Sequence, residues 1–247
     1  MTARAAGPRR PTGAAGPRHA TGAAGPARPA RTARSAPRAR APVGLSHDKI
    51  VTAALRMIDR HGLAGFSTRK LGAALRCEAM ALYWYFPSKE ALLDAVVARL
   101  VAPLGAAATA GPAGLDWLEA LRRVARAYRD IAREHPHAFA LLATRRFASA
   151  GAYGFLEQLL ALAEQHGVPP RTAARTYRVV SSYCNGFALN ELAGEREADD
   201  PGIAKLRSGF PRVDAAFAWL GPEHLDDTFE HGLDLLLGAL RPGRTAR

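Results

Sequence analysis

The chain has 247 residues, 48% of them hydrophobic, with few aromatics and a formal net charge of +12. That length suits one large domain or two smaller ones, and the apolar share excludes a chain that is disordered throughout. The charge sits at one end: residues 1–44 hold nine Arg and no acid, residues 45–100 hold eight basic and five acidic residues, and residues 101–247 are neutral. An anionic surface is therefore expected at the N-terminal end alone.

Ala and Leu dominate the apolar set, which favours helix over strand. Residues 1–44 are Ala, Gly, Pro and Arg, with the hexamer TGAAGP at 12–17 and again at 21–26. With almost no large apolar side chain, this stretch cannot offset its ordering entropy, and a disordered tail is expected. It has no apolar core either, which excludes a secretory signal. The longest apolar run, 91–108, is interrupted by Asp94, Arg99 and Pro103 and reads as too broken to span a membrane. Cys77 and Cys184 fall in different expected helices and read as reduced thiols of a cytoplasmic protein.

Order is expected from Leu45. Ser46 caps a first helix, Asp48 complements its dipole, and Ile50, Val51, Ala54, Leu55 and Ile58 form its inner stripe until Gly62. A second helix starts at Ser67 or Thr68, with Leu71, Ala74 and Leu75 inward. A short third runs from about Glu78 to Tyr85. Pro87 and Ser88 open a fourth, with Leu92, Leu93, Val96, Val97 and Leu100 as its stripe. Past a Gly/Pro-rich break at 103–114, helical periods recur near 116–134, 137–149, 152–166, 170–193, 208–220 and 222–240, and the polar stretch 194–207 reads as a loop. No alternating run argues for a sheet. The fold class is all-α: a three-helix helix-turn-helix domain at 45–100, a helical-bundle domain at 101–242, and a short tail at 243–247.

The segment FSTRKLGAALRCEAMALYWYF at 66–86 holds two short helices joined by a turn of about three residues. Leu71, Leu75 and Leu82 are spaced to pack the pair, and the second helix is compact enough for a major groove ~12 Å wide. Tyr83, Trp84 and Tyr85 are consecutive, ~100° apart around the helix, so at least one must face solvent.

These residues resemble the DNA-binding domain of the TetR family. The string LYWYFPSKEALL at 82–93 carries the resemblance, and the Tyr-Trp pair with DTFEHGLDLLLGAL at 227–240 points to its tetracycline-repressor-like branch. The resemblance implies a homodimeric, ligand-responsive repressor. It places one reading helix in each half of a palindromic double-stranded DNA operator and is released by a small-molecule effector that moves the fourth helix. By motif position it implies that Thr68, Arg69 and Lys70 approach phosphates or a base edge, and that Ala79, Met80 and Ala81 face bases. Tyr83, Trp84 and Tyr85 then lie along the backbone, and Lys89 clamps a phosphate. The family's usual Gly-Val turn is Arg76-Cys77 here, so Arg76 is expected at positive φ. The apolar trio at 79–81 suits thymine methyls. The stretch 139–144 lacks the His with which the tetracycline repressor binds drug-bound magnesium.

Phe139, Leu142, Thr144, Tyr177, Tyr183 and Phe187 are candidate ligand-pocket residues; for the last three, the dimer face or plain core are open alternatives. Leu233, Leu236, Leu237 and Leu240 are expected to face a partner subunit by the same resemblance, although their periodicity alone marks only an apolar stripe. His135 with His137, and His224 with His231, lack the Cys or carboxylate partners of a standard metal site, so no metal and no cofactor is expected. Cys77 reads as a small buried hydrophobe rather than a redox switch. No Gly-rich phosphate loop and no Gly-x-Ser-x-Gly elbow is present, so an enzyme is not the reading. A nucleoid-type architectural protein, suggested by the Arg-rich tail, is the other rival.

Overall fold

The computed structural model describes residues 44–110, 116–145, 150–197 and 201–239. The expected disordered tail at 1–43, Leu240 and the last residues lie outside them. Among the described residues there is no strand. Helices α1 (His47–Gly65), α2 (Thr68–Ala74), α3 (Ala79–Leu82) and α4 (Lys89–Thr109) come first. They are followed by α5 (Trp117–Glu134), α6 (Pro136–Arg145), α7 (Ala150–Gln165), α8 (Pro170–Glu197), α9 (Pro201–Arg207), α10 (Pro211–Leu220) and α11 (Leu225–Gly238).

Local chemistry sets the first boundaries. Ser46, Ser67 and Ser88 each accept a hydrogen bond from the backbone N–H three residues on, capping α1, α2 and α4. Gly62, at φ 67°, breaks α1 into a long helix and one further turn. Ile50, Val51, Ala54 and Ile58 of α1 join Leu71, Leu82, Leu92, Val96 and Val97 in one core.

Two expectations fail, each where a short-range signal loses to burial. The break expected at 103–114 begins later, because α4 continues through Pro103 to Thr109. Proline removes one helical hydrogen bond, but Val101, Leu104 and Ala108 on either side of it are buried against α5 and α7 and hold the helix on course. By length and composition α4 is apolar enough to cross a membrane, contrary to the reading of its interrupted run, yet its apolar face is core. Where the loop expected at 194–207 is described, it is helical instead: α8 extends to Glu197 and α9 spans Pro201–Arg207. Gly194 sits exposed within α8, where a glycine costs only ~1 kcal/mol.

The first three helices are joined to the later bundle by polar contacts. On α1, Asp59 meets the imidazole of His135 at 2.8 Å, and its backbone carbonyl meets that of His137 at 2.6 Å. Asp94 of α4 accepts from the Arg145 guanidinium at 2.6 Å, and Arg99 of α4 reaches Asp48 on α1. His135 and His137 are thus docking groups for α1.

Candidate DNA interface and sensing cavity

The turn between α2 and α3 is built from backbone. Leu75 caps α2, and Arg76 follows at φ 55°, the left-handed conformation. Arg76 N–H donates to Ala73 O at 3.1 Å and Cys77 N–H donates to Gly72 O at 2.9 Å, the two bonds of a Schellman stop. Among the described residues Arg76 is the one non-glycine at positive φ, as expected for a residue standing where the family has glycine. Gly72 is a requirement that sequence reasoning missed. A Cβ there would lie 2.8 Å from Cys77 O and 3.1 Å from Ala79 N, so only glycine lets α3 cross this close to α2.

That stop sets the face of α3. Leu82 is buried at 2% exposure, whereas Met80 is 69%, Trp84 53% and Tyr83 40% exposed. Ala79 and Ala81 are half-buried beside Met80, and Arg69 and Lys70 are exposed on α2, with Thr68 half-buried at its start. Lys70 Nζ donates to Gly65 O at 3.0 Å. Lys89 Nζ, at the start of α4, lies 5.6 Å from the Phe66 ring centroid. Tyr85 differs from its neighbours. Its hydroxyl donates to Leu45 O at 2.9 Å and its ring meets His47 edge-on at 5.1 Å. It is a strut between the α3 turn and the start of α1, and it leaves Tyr83 and Trp84 as the outward aromatics.

The six candidate pocket residues separate. Tyr177 lines an apolar cavity of about 40 Å³ between α4, α5, α7 and α8. Phe139 and Leu142 are fully buried on α6, with the Phe139 ring edge-on to Tyr128 at 5.3 Å. Neither lines the cavity. Thr144 is exposed and bonds back to Ala140 O. Tyr183 and Phe187 face α11: the Tyr183 ring stacks on Phe229 at 5.6 Å, its hydroxyl donates to Phe229 O at 3.1 Å, and Phe187 meets Phe229 edge-on at 5.1 Å. Gly232 makes room for this, since a Cβ there would sit 2.1 Å from the Tyr183 oxygen. Burial, with neighbouring Cys184 adding to it, pushes the Tyr183 phenol up to about 12. Sequence reasoning missed Leu121, Val124, Phe155 and Cys184, which do line the cavity. A usable signal was present: α5 alternates an apolar face with a row of arginines, so the apolar face needed a partner.

The dimer assignment also changes. Leu233 and Leu237 are buried within the subunit at 0% and 2% exposure, and Leu236 is half-buried. They lie on one side of α11, which packs against α8 of the same subunit, so Leu233 and Leu237 are core of the subunit itself. Leu235 is 63% exposed, and on α8 Val179 and Leu189 are exposed as well.

Above that inward face, α5 is bound to its neighbours by an ionic ladder. Arg122 and Arg126 meet Glu230, Arg122 also meets Asp234, Arg129 makes a two-bond pair with Glu191 at 2.7 and 2.9 Å, and Arg133 meets Glu191 and Asp226. Arg129 and Glu191 are both buried. The Arg129 guanidinium also lies over the rings of Phe187 and Phe229, at 5.0 and 4.7 Å. Hydrogen bonding from Arg126 holds the Glu230 carboxyl below its ordinary range.

Comparison with known proteins agrees with this geometry. Residues 50–96 match the model for bacterial regulatory proteins of the tetR family, and residues 111–242 match that for the tetracyclin repressor-like C-terminal domain. The chain is 31% identical over 211 residues to the class A tetracycline repressor from transposon 1721 of Escherichia coli, covering 81% of this chain and 92% of the relative. It is 30% identical to the transcriptional repressor DrrR1 of Streptomyces coeruleorubidus over 60% of this chain, and spans 54% of that longer relative. Among solved structures it resembles a TetR variant from Acinetobacter baumannii AYE in complex with minocycline, with TM-score 0.63, 25% identity, and coverage of 82% of this chain and 99% of that one. It also resembles BioQ bound to its double-stranded DNA operator, with TM-score 0.50, 29% identity, and coverage of 62% and 93%. The chain belongs to the TetR family of ligand-responsive, DNA-binding transcriptional repressors.

Proposed function

We propose that the chain works as a homodimer that sets two copies of α3 into the halves of a palindromic operator and lets go when a small molecule enters the cavity beside α4. The observation that carries the reading is the outward face of α3. Met80 on α3, and Tyr83 and Trp84 in the turn that follows it, are exposed, while Leu82 and the glycine-dependent turn pin the other side. In this reading Ala79, Met80 and Ala81 meet base edges, with thymine methyls as their apolar partners. Thr68, Arg69, Lys70, Tyr83, Trp84 and Lys89 meet the backbone, which fixes register.

Dimerisation is supported by what the subunit leaves uncovered. On α8, exposed Val179, Ser182, Gly186 and Leu189 recur at three- and four-residue spacing on one face. Leu235 of α11 is exposed as well, as are Phe217, Trp219 and Leu220 of α10. The cavity touches α4 through Val101 and Leu104, and α4 begins at Lys89 beside the reading helix. A ligand that shifts α4 would therefore reach the DNA-facing residues through one rigid element.

Binding-site selection tests the readout. Trp84→Ala should weaken binding to all sequences alike, whereas Met80→Ala should change the preferred base at one position of each half-site. An unchanged preference for Met80→Ala overturns the base-facing role. Footprinting that shows broad protection instead of one palindrome would favour an architectural protein.

A further inference from the structure

Helix α5 divides its surroundings in two. Arg122, Arg126, Arg129 and Arg133 turn toward α8 and α11, where Glu191, Asp226, Glu230 and Asp234 receive them. Leu121, Val124, Ala125 and Tyr128 turn into the cavity, opposite Tyr177, Val180 and Cys184 of α8. Four of the five arginines of this helix therefore serve one seam, the fifth, Arg123, turns to Glu119 and Ala110 O, and no charged group is among the described residues that line the cavity. The polar atoms there are few and engaged. Tyr128 donates its hydroxyl hydrogen to Asn185 Oδ1 at 2.9 Å, and Ser181 donates to Arg178 O at 3.1 Å.

Each class of ligand meets this lining differently. An ionised molecule would leave its hydration shell and find no counter-charge, which is costly in an apolar site. A metal chelate would find no imidazole or carboxylate among the described lining residues to complete its coordination. An uncharged apolar molecule loses little hydration and gains contact with Leu121, Val124 and Phe155. The Cys184 thiol, pushed up to about 12 by burial, stays protonated and adds a soft, polarisable contact. The cavity is about 40 Å³, against ~300–1,000 Å³ for pockets that bury drug-sized ligands, so the helices must part to admit a guest.

We propose that the effector of this regulator is an uncharged, metal-free and predominantly apolar molecule, seated between α4, α5, α7 and α8 against Cys184. The proposal rests on the reading of this cavity as the sensing site.

Two probes with the same rings separate the possibilities: N-phenyl-1-naphthylamine, which is neutral, and 1-anilinonaphthalene-8-sulfonate, which differs by one sulfonate. With the full-length protein and no added metal, fluorescence titration should show the neutral probe binding at least about tenfold more tightly. Exposed apolar side chains on α10 could also hold either probe, so seating is read inside the cavity, from nuclear Overhauser contacts between the probe rings and the methyl groups of Leu121, Val124 and Val180. At saturation the neutral probe should show these contacts. Equal or tighter binding of the sulfonate, or a bound neutral probe without these contacts, overturns the proposal. Operator affinity measured on the same samples keeps the two readings apart. Loss of the neutral-probe preference with operator binding intact removes this ligand class alone. Contacts to the cavity methyls with no change in operator affinity at any probe concentration remove the cavity as the sensing site.

Discussion

The buried pair Arg129–Glu191 makes a quantitative prediction. Both side chains are nearly inaccessible, at 6% and 4% exposure, and Glu191 holds Arg129 and Arg133 at once. Replacing Glu191 with Leu removes both acceptors of the Arg129 Nε and one terminal nitrogen. Removing one partner of a buried pair typically costs 3–5 kcal/mol. Asp226 remains 2.9 Å from the other terminal nitrogen, but it is 76% exposed and compensates through solvent-screened charge. The lower end, about 3 kcal/mol, is therefore expected, equivalent to a melting temperature lower by about 6–12 °C for a chain of this size. Arg129→Met should cost less, because Arg133 still pairs with Glu191 at 2.8 Å. The double variant Arg129→Met/Glu191→Leu buries no charge and leaves Arg133 with the exposed Asp226, so it should cost only about 1 kcal/mol. Urea unfolding followed by helical circular dichroism measures all four proteins, at one fixed protein concentration because a dimer's stability depends on it. A double-variant cost equal to the sum of the two singles would refute the reasoning, since the pair would then carry no coupling.

Three further outcomes follow from other parts of the molecule. Arg76→Gly should raise stability by about 1 kcal/mol, because the left-handed backbone at φ 55° carries a cost that glycine lacks; a thermal melt without a gain would mean another contact holds Arg76 there. Glu230 is held low by Arg126, so its contribution is complete above the ordinary glutamate pKa of ~4.3 and is lost as pH falls through the lower folded value. The stability gap between wild type and Glu230→Gln should therefore close on acidification, and a gap that widens below pH ~4 reverses the assignment. Residues 1–44 carry nine Arg and no acid, so deleting them should reduce the salt dependence of DNA binding. If about three or four arginines per subunit neutralise phosphates, the slope of log affinity against log salt falls in magnitude by ~5–7 for the dimer. Equal slopes with and without the segment would leave it no part in binding.

The helix-turn-helix was legible in the sequence because its determinants are local. Three serine caps, Gly62, the Arg76 turn and the Tyr83-Trp84 pair each act within about four residues, so reading along the chain locates them and their exposure. The remaining assignments depended on which neighbour each helix meets. Leu233 and Leu237 form an apolar stripe in the sequence, but a stripe marks only a buried face. That α8 of the same subunit covers it, leaving Leu235 outward, is decided by packing. Pro103 was read as a break because proline removes a hydrogen bond, and burial of Val101, Leu104 and Ala108 overrode it. Phe139 and Tyr183 were sound candidates by residue type, yet one rests against Tyr128 and the other against Phe229, while the cavity took Leu121 and Cys184. Periodicity states which side of a helix is apolar; whether that side meets core, cavity or partner is a property of the other helices, and only the tertiary structure contains it.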